Sequence, residues 1–150
     1  MSDFSKPYRG GLVGKAHHFA LTVYFEDTDT AQIVYYANYL KFMDRARTDM
    51  LQCVGIDHAA VHNGGEGAYA VAEVNIRYVR SAYVGDDLLV VTELREVRAA
   101  SIRVHQRVMR GDEKLAEAEV TAAFLTPQGR PQRQPKDWVE TFEGLVVREG

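Results

Sequence analysis

The run Glu26-Asp27-Thr28-Asp29 places three carboxylates within four residues. A carboxylate can attack an acyl carbon directly or take a proton from a water that does so. An acidic run is more often a solvated turn or a helix cap, because short acidic side chains bind nearby backbone N–H groups. This one lies between a strand-like pattern and the start of the longest amphipathic helix pattern in the chain. Backbone N–H groups at a helix start lack internal partners and carry partial positive charge. A carboxylate seven residues ahead of Tyr36 faces that terminus across a small gap. Such a layout suits acyl transfer, in which N–H groups polarise a carbonyl and hold the oxyanion. The segment from Asp27 to Tyr39 is therefore the candidate active site. Spacing alone selects neither one of the three carboxylates nor the nucleophile over the general-base role.

Other chemistries find less support. The four serines, Ser2, Ser5, Ser81 and Ser101, include none in a G-x-S-x-G elbow. There is no G-x-G-x-x-G and no P-loop. Gly64-Gly65-Glu66-Gly67 precedes a strand pattern rather than a helix, so it reads as a loop and not a phosphate cradle. Cys53, the only cysteine, can form no internal disulfide, and its neighbours Gln52 and Val54 offer nothing to activate a thiol. It reads as an inert, partly buried residue. His58 and His62 have the i, i+4 spacing of metal ligands, but two ligands fall short of the usual three or four, so no metal is expected. His17 and His18 read as surface residues, and His105 as structural as readily as functional.

The elements around the acidic run are legible from periodicity. From Phe19, Leu21, Val23 and Phe25 alternate with Ala20, Thr22 and Tyr24, as in a strand. Tyr36, Tyr39, Leu40, Met43, Ala46, Met50, Leu51 and Val54 recur every three or four residues and make one helical stripe of about five turns. Lys41, Asp44, Arg45, Thr48, Asp49 and Gln52 occupy the opposite face, and Gly55 stands where a left-handed C-terminal cap belongs. Four strand patterns follow, around 74–78, 88–97, 102–108 and 116–124, with turns at Gly85-Asp86-Asp87, Ala99-Ala100 and Gly111-Asp112. Pro127, Gly129, Pro131 and Pro135 end the sheet and leave room for a short helix around Trp138 to Phe142. Strand, long helix, then four consecutive strands indicates α+β: one helix against a five-stranded antiparallel sheet. Residues 1–16, with Pro7 and three glycines, read as a flexible leader, and 17–150 as one domain.

Bulk properties agree with a single globular enzyme. The 150 residues are 46% hydrophobic and 26% charged, with a formal net charge of −3. That balance argues against nucleic acid as the main partner. No apolar run approaches a membrane span of roughly 18 residues, and Met1 to Lys15 does not look like a signal peptide. The expected location is the cytoplasm.

The run from Asp27 to Tyr39, followed by Asp44-Arg45-Ala46-Arg47, resembles the signature of the 4-hydroxybenzoyl-CoA thioesterase family of hotdog-fold proteins. It is most similar to the branch of small acyl-CoA thioesterases associated with the bacterial Tol-Pal system, from about Ala20 to Phe142. Ala118-Glu119-Val120 and the stretch from Arg130 to Lys136 share in it. The resemblance implies a sheet wrapped around a central helix and a cofactor-independent thioesterase acting on short-chain aliphatic or hydroxybenzoyl-type acyl-CoA. It implies Asp29 as the catalytic carboxylate and the Tyr36 N–H as carbonyl polariser, with Asn38 and Tyr39 near the acyl group. Arg98 and Ser101 are implied as coenzyme A contacts. It further implies a homodimer or homotetramer with the site at the subunit interface, and Tol-Pal or lipid-synthesis proteins as partners.

One position departs from the family: Gln32 stands where glycine is usual, and glutamine adopts glycine's backbone conformations only at a cost. Gln32 favours a second reading, a non-catalytic hotdog module that binds acyl-CoA or a protein. A hotdog dehydratase is a third, but its chemistry wants a histidine near the helix start, and none occurs between His18 and His58.

Overall fold

The computed structural model describes residues 3–57, 61 and 64–148. In chain order the elements are β1 (Gly11–Val13), β2 (Ala16–Thr22), a 3-10 turn (Phe25–Asp27), α1 (Asn38–Cys53), β3 (Ala68–Tyr78), β4 (Asp87–Val97), β5 (Ser101–Arg110), β6 (Glu113–Leu125) and α2 (Lys136–Glu143). The six strands form one antiparallel sheet in the order β1-β2-β4-β5-β6-β3. Five strands were expected. The sixth, β1, is three residues long and pairs with β2 in a tight hairpin, Val13 opposite Ala16. It lies inside the segment read as a leader, and it is too short to show a period of two.

Alternation along the last strands places one face against α1. Ile102, Val104, Gln106 and Val108 of β5, and Ala118, Val120, Ala122 and Phe124 of β6, are buried, whereas their sequence neighbours are half-buried. Against them lie Tyr39, Phe42, Met43, Ala46, Met50 and Leu51 of α1, with Phe142 of α2 completing the core. A polar link fixes how α1 is seated. Gln106 Nε2 donates to the Met43 carbonyl and to Thr92 Oγ1, both at 3.0 Å, and Gln106 Oε1 accepts from Arg47 Nη1 at 2.9 Å. Buried and fully partnered, this network penalises any rotation of the helix on the sheet.

Helix α1 begins at Asn38, two residues later than the stripe suggests. The Tyr35 N–H is committed to the Asp27 carbonyl at 3.0 Å, which holds Tyr35 outside the helix. Tyr36 and Leu40 are consequently more than a third exposed, and Phe42, absent from the expected stripe, is buried. Asp49, expected on the solvent face, is 6% exposed. It accepts from the Gly10 N–H at 3.0 Å and is paired with His17 Nε2 at 2.7 Å. His17 is not the surface residue expected but fully buried. Gly55 (φ 86°) and the turn glycines Gly85 (φ 87°) and Gly111 (φ 58°) occupy the left-handed region, as the turn positions required.

The sheet has unequal edges. β1 is a stub, but β3 runs 11 residues with nothing beyond it and exposes Val71, Val74 and Tyr78. Among the described residues no helix is long and apolar enough to cross a membrane.

Candidate active site

The path from β2 to α1 makes a compact loop in which the backbone is fixed almost residue by residue. Val23, buried, exchanges hydrogen bonds with the 85–86 turn, and Phe25–Asp27 closes a single 3-10 turn. Asp27 Oδ2 accepts from the Tyr24 N–H at 2.8 Å, within its own turn. Thr28 and Val34 then form an isolated bridge, and between them Asp29 and Gln32 close a tight turn. The Asp29 carboxylate accepts only from the Ala31 N–H, at 2.8 Å, and is otherwise exposed. Of the three acids in the run, Asp29 is the one that lines a cleft.

That cleft, about 330 Å³ and open to solvent, is walled by Asp29, Ile33, Tyr36, Tyr39, Tyr78 and the Val79–Ser81 segment. A space of this size is ordinary for a small-molecule site. Ala37, at the cap position of α1, has no side chain able to close the helix end, and no acidic residue occupies the first turn. Tyr36 and Ala37 form a turn continuous with the helix. No acceptor among the described residues takes the Tyr36 N–H. Tyr36, at the positive end of α1, and Asp29 therefore line the same cleft.

Three tyrosines shape the wall. Tyr36 and Tyr39 each meet the Tyr78 ring edge-on, with centroids 5.9 and 5.6 Å apart. Hydrogen bonding to Tyr36 pushes the Tyr35 hydroxyl above its usual range, and the Asp29 charge adds to the effect. Burial does the same to Tyr39. The Tyr35 and Tyr39 phenols are thus neutral near physiological pH. Asn38 faces the loop rather than the cleft, where its Nδ2 donates to the Asp27 carbonyl at 2.8 Å.

The structure brings Asp29, Tyr36 and Tyr39 together and leaves Arg98 and Ser101 apart. Those two line a separate depression with Glu73, Glu96 and Arg103, beyond the far end of β4. The cleft lies by the start of β4, where Val34 bonds Ala82 and Ile33 bridges Tyr83. The two ends are separated by the strand's length, roughly 33 Å at about 3.3 Å per residue. Arg98 is ion-paired with Glu96. Tyr78, Arg80 and Ser81 went unrecognised in the sequence, since they reach the cleft through long-range pairing that no local period encodes. Cys53 is exposed, and burial of its thiol followed by the charge of Asp49 pushes its pKa up, away from reactivity. His105 pairs with Glu117 at 3.5 Å on the outer sheet face. His58 and His62 lie outside the described residues.

Residues 31–117 match the model of the thioesterase superfamily. The chain belongs to that superfamily. It is 35% identical to the acyl-CoA thioesterase YbgC of Haemophilus influenzae over 89% of this chain and 99% of the relative. It is 33% identical to the acyl-CoA thioester hydrolase YbgC of Escherichia coli, over 81% of this chain and 91% of that one. A probable thioesterase from Bartonella henselae superposes with a TM-score of 0.77 at 29% identity, covering 80% of this chain and 99% of that one. A 4-hydroxybenzoyl-CoA thioesterase variant complexed with 4-hydroxybenzoyl-CoA shares the fold at a TM-score of 0.76 and 22% identity, over 85% and 98% of the two chains. The architecture is thus the hotdog one expected, with the β1 stub added, and the protein is a thioester hydrolase.

Proposed function

We propose that this thioesterase hydrolyses acyl-coenzyme A, with Asp29 as the catalytic carboxylate and the Tyr36 N–H as the donor to the thioester carbonyl. The observation that carries the reading is the pairing, in one cleft, of an exposed carboxylate with an N–H that has no internal partner. A carbonyl oxygen docked on the Tyr36 N–H presents its carbon to the cleft. Asp29 either attacks that carbon, giving a mixed anhydride and the coenzyme A thiolate, or deprotonates a water that attacks it. In both cases the N–H at the helix end stabilises the developing oxyanion. The aromatic wall of Tyr36, Tyr39 and Tyr78 suits a hydroxybenzoyl-type or short aliphatic acyl group.

The thiol half is served in trans. If a second chain continues the sheet by antiparallel pairing on β3, its Ala68 end meets the first chain's Tyr78 end. Ala68 pairs with Leu125 and Ser101 with Ala123, so Ser101 and Arg98 belong to that arriving end. Dimerisation would thereby carry the second chain's Arg98 and Ser101 to the mouth of the first chain's cleft.

The test is release of free thiol from a panel of acyl-CoAs by wild type and by Asp29→Ala and Asp29→Asn. Loss of about 10²–10⁴-fold in kcat is expected, the usual worth of such a group. Undiminished hydrolysis by folded variants would overturn the assignment. Binding of acyl-CoA without turnover on any member of the panel would instead support the binding-module reading that Gln32 favours.

A further inference from the structure

We propose that His17 Nε2, Asp49 Oδ2 and Cys53 Sγ form a site for one Zn²⁺-class cation, which fastens the β1–β2 hairpin to the C-terminal half of α1. The acyl-transfer reading neither uses this cluster nor depends on it. Asp49 lies 11 residues into the helix from Asn38, roughly 16 Å along the axis at about 1.5 Å per residue.

The three donor atoms lie within 4.8 Å of one another. Cys53 Sγ is 3.7 Å from Asp49 Oδ2 and 3.7 Å from the Gly10 carbonyl oxygen. Atoms sharing one tetrahedral ion at about 2.0–2.3 Å sit about 3.3–3.8 Å apart. The thiol is already so placed relative to Asp49 Oδ2 and the Gly10 carbonyl, and the i, i+4 spacing of Asp49 and Cys53 on α1 keeps both on one side of the helix. The His17–Asp49 separation, 2.7 Å, is that of two groups sharing a proton where an ion would otherwise lie. An opening of about 0.6 Å would seat the metal.

The chemistry of the donors agrees. Imidazole, thiolate and carboxylate together select a borderline-soft divalent ion over calcium or magnesium. His17 Nδ1 has no partner among the described residues and can carry the ring proton once Nε2 binds metal. One proton leaves, from the Cys53 thiol to solvent. Carboxylate and thiolate then neutralise the dication, leaving no net charge in a site with two buried ligands. Exposure of Cys53 supplies the entry path, and the Gly10 carbonyl or a water completes four-coordination. Gly10 permits this close approach, because a Cβ there would collide with the His18 carbonyl oxygen and lie 2.8 Å from Asp49 Oδ2.

The 150-residue protein, purified with chelator, is titrated with Zn²⁺ by calorimetry and with Cd²⁺ by ultraviolet absorption. Because Cys53 is the only cysteine, any thiolate-to-metal charge-transfer band comes from it. One ion per chain is expected, with the band lost in Cys53→Ser and affinity weakened at least tenfold in Asp49→Asn and His17→Gln. The double variant His58→Ala/His62→Ala keeps both signals. Circular dichroism selects the variants that fold. Absence of a band in wild type would overturn the proposal. So would a band unchanged in folded Asp49→Asn, which would show a thiol binding metal alone, or one lost with His58 and His62.

Discussion

Asn38 Nδ2 donates to the Asp27 carbonyl oxygen at 2.8 Å, which ties the first residue of α1 to the acidic loop. The carboxylate at Asp29 and the donor at Tyr36 sit on the two strands of chain that this bond holds together. Asn38→Ala removes the donor and strands the carbonyl. It should cost about 1–2 kcal/mol in urea unfolding, the worth of a buried group left unpaired. A misplaced reacting pair should also lower kcat by about tenfold or more while KM changes little. Asn38→Asp, which keeps the shape and loses the donor, should do no better. Retention of full kcat by both variants would show that the bond does not position the site.

Gln32 is the one non-glycine among the described residues with positive φ, at 64°. Left-handed backbone costs a side-chain-bearing residue about 1 kcal/mol. Gln32→Gly should therefore raise unfolding free energy by about 0.5–1 kcal/mol, part of the gain being offset by the looser unfolded chain. Gln32→Val should lower it, since a β-branched residue tolerates this region worst. Equal midpoints for all three proteins would remove strain from the account of this loop.

Asp86 braces the other wall of the cleft. It accepts from the Tyr83 N–H at 2.9 Å and pairs with Arg110 Nη1 at 2.7 Å, while Arg110 also donates to the Ser81 carbonyl at 3.2 Å. Burial acts to raise its pKa, but the Tyr83 N–H and Arg110 together outweigh it, so the carboxyl is held below the usual range. A depressed folded-state pKa means stability that is present above the unfolded value of about 3.9 and is lost as pH falls through the folded one. Asp86→Asn should thus destabilise at pH 7, and the gap from wild type should close as pH falls below the unfolded value and through the folded one. A gap independent of pH would assign the effect to packing alone.

Most of this was readable in the chain. Residue periods placed α1, β5 and β6, since each has one buried face and an amphipathic pattern reports that directly; strand-like runs also marked β3, which has no buried residue, and β4, which is buried on both faces. Gly55, Gly85 and Gly111 marked turns for the same local reason. What escaped was non-local. β1 is too short to carry a period, and His17 and Asp49 look polar until β2 is laid beside α1. Tyr78, Arg80 and Ser81 become cleft residues only after β3 and the segment beyond it fold back on Tyr36. Asp29 was chosen over Glu26 and Asp27 by resemblance. In the structure Asp27 and Asp29 each accept one backbone N–H within their own turns, and what sets Asp29 apart is that it lines the cleft.

The distance along β4 between Arg98 and the cleft has a genetic consequence. With a cleft shared between chains, a defect in Asp29 and a defect in Arg98 belong to different active sites of a mixed dimer. Co-expressing an Asp29→Asn chain with an Arg98→Ala chain should yield hybrids in which one site has lost both residues and the other has both intact. Two alleles that fail alone would then complement each other, and purified hybrids should recover up to about half of wild-type activity per dimer, as independent sites add. Hybrids no more active than the better parent would place each site within a single chain.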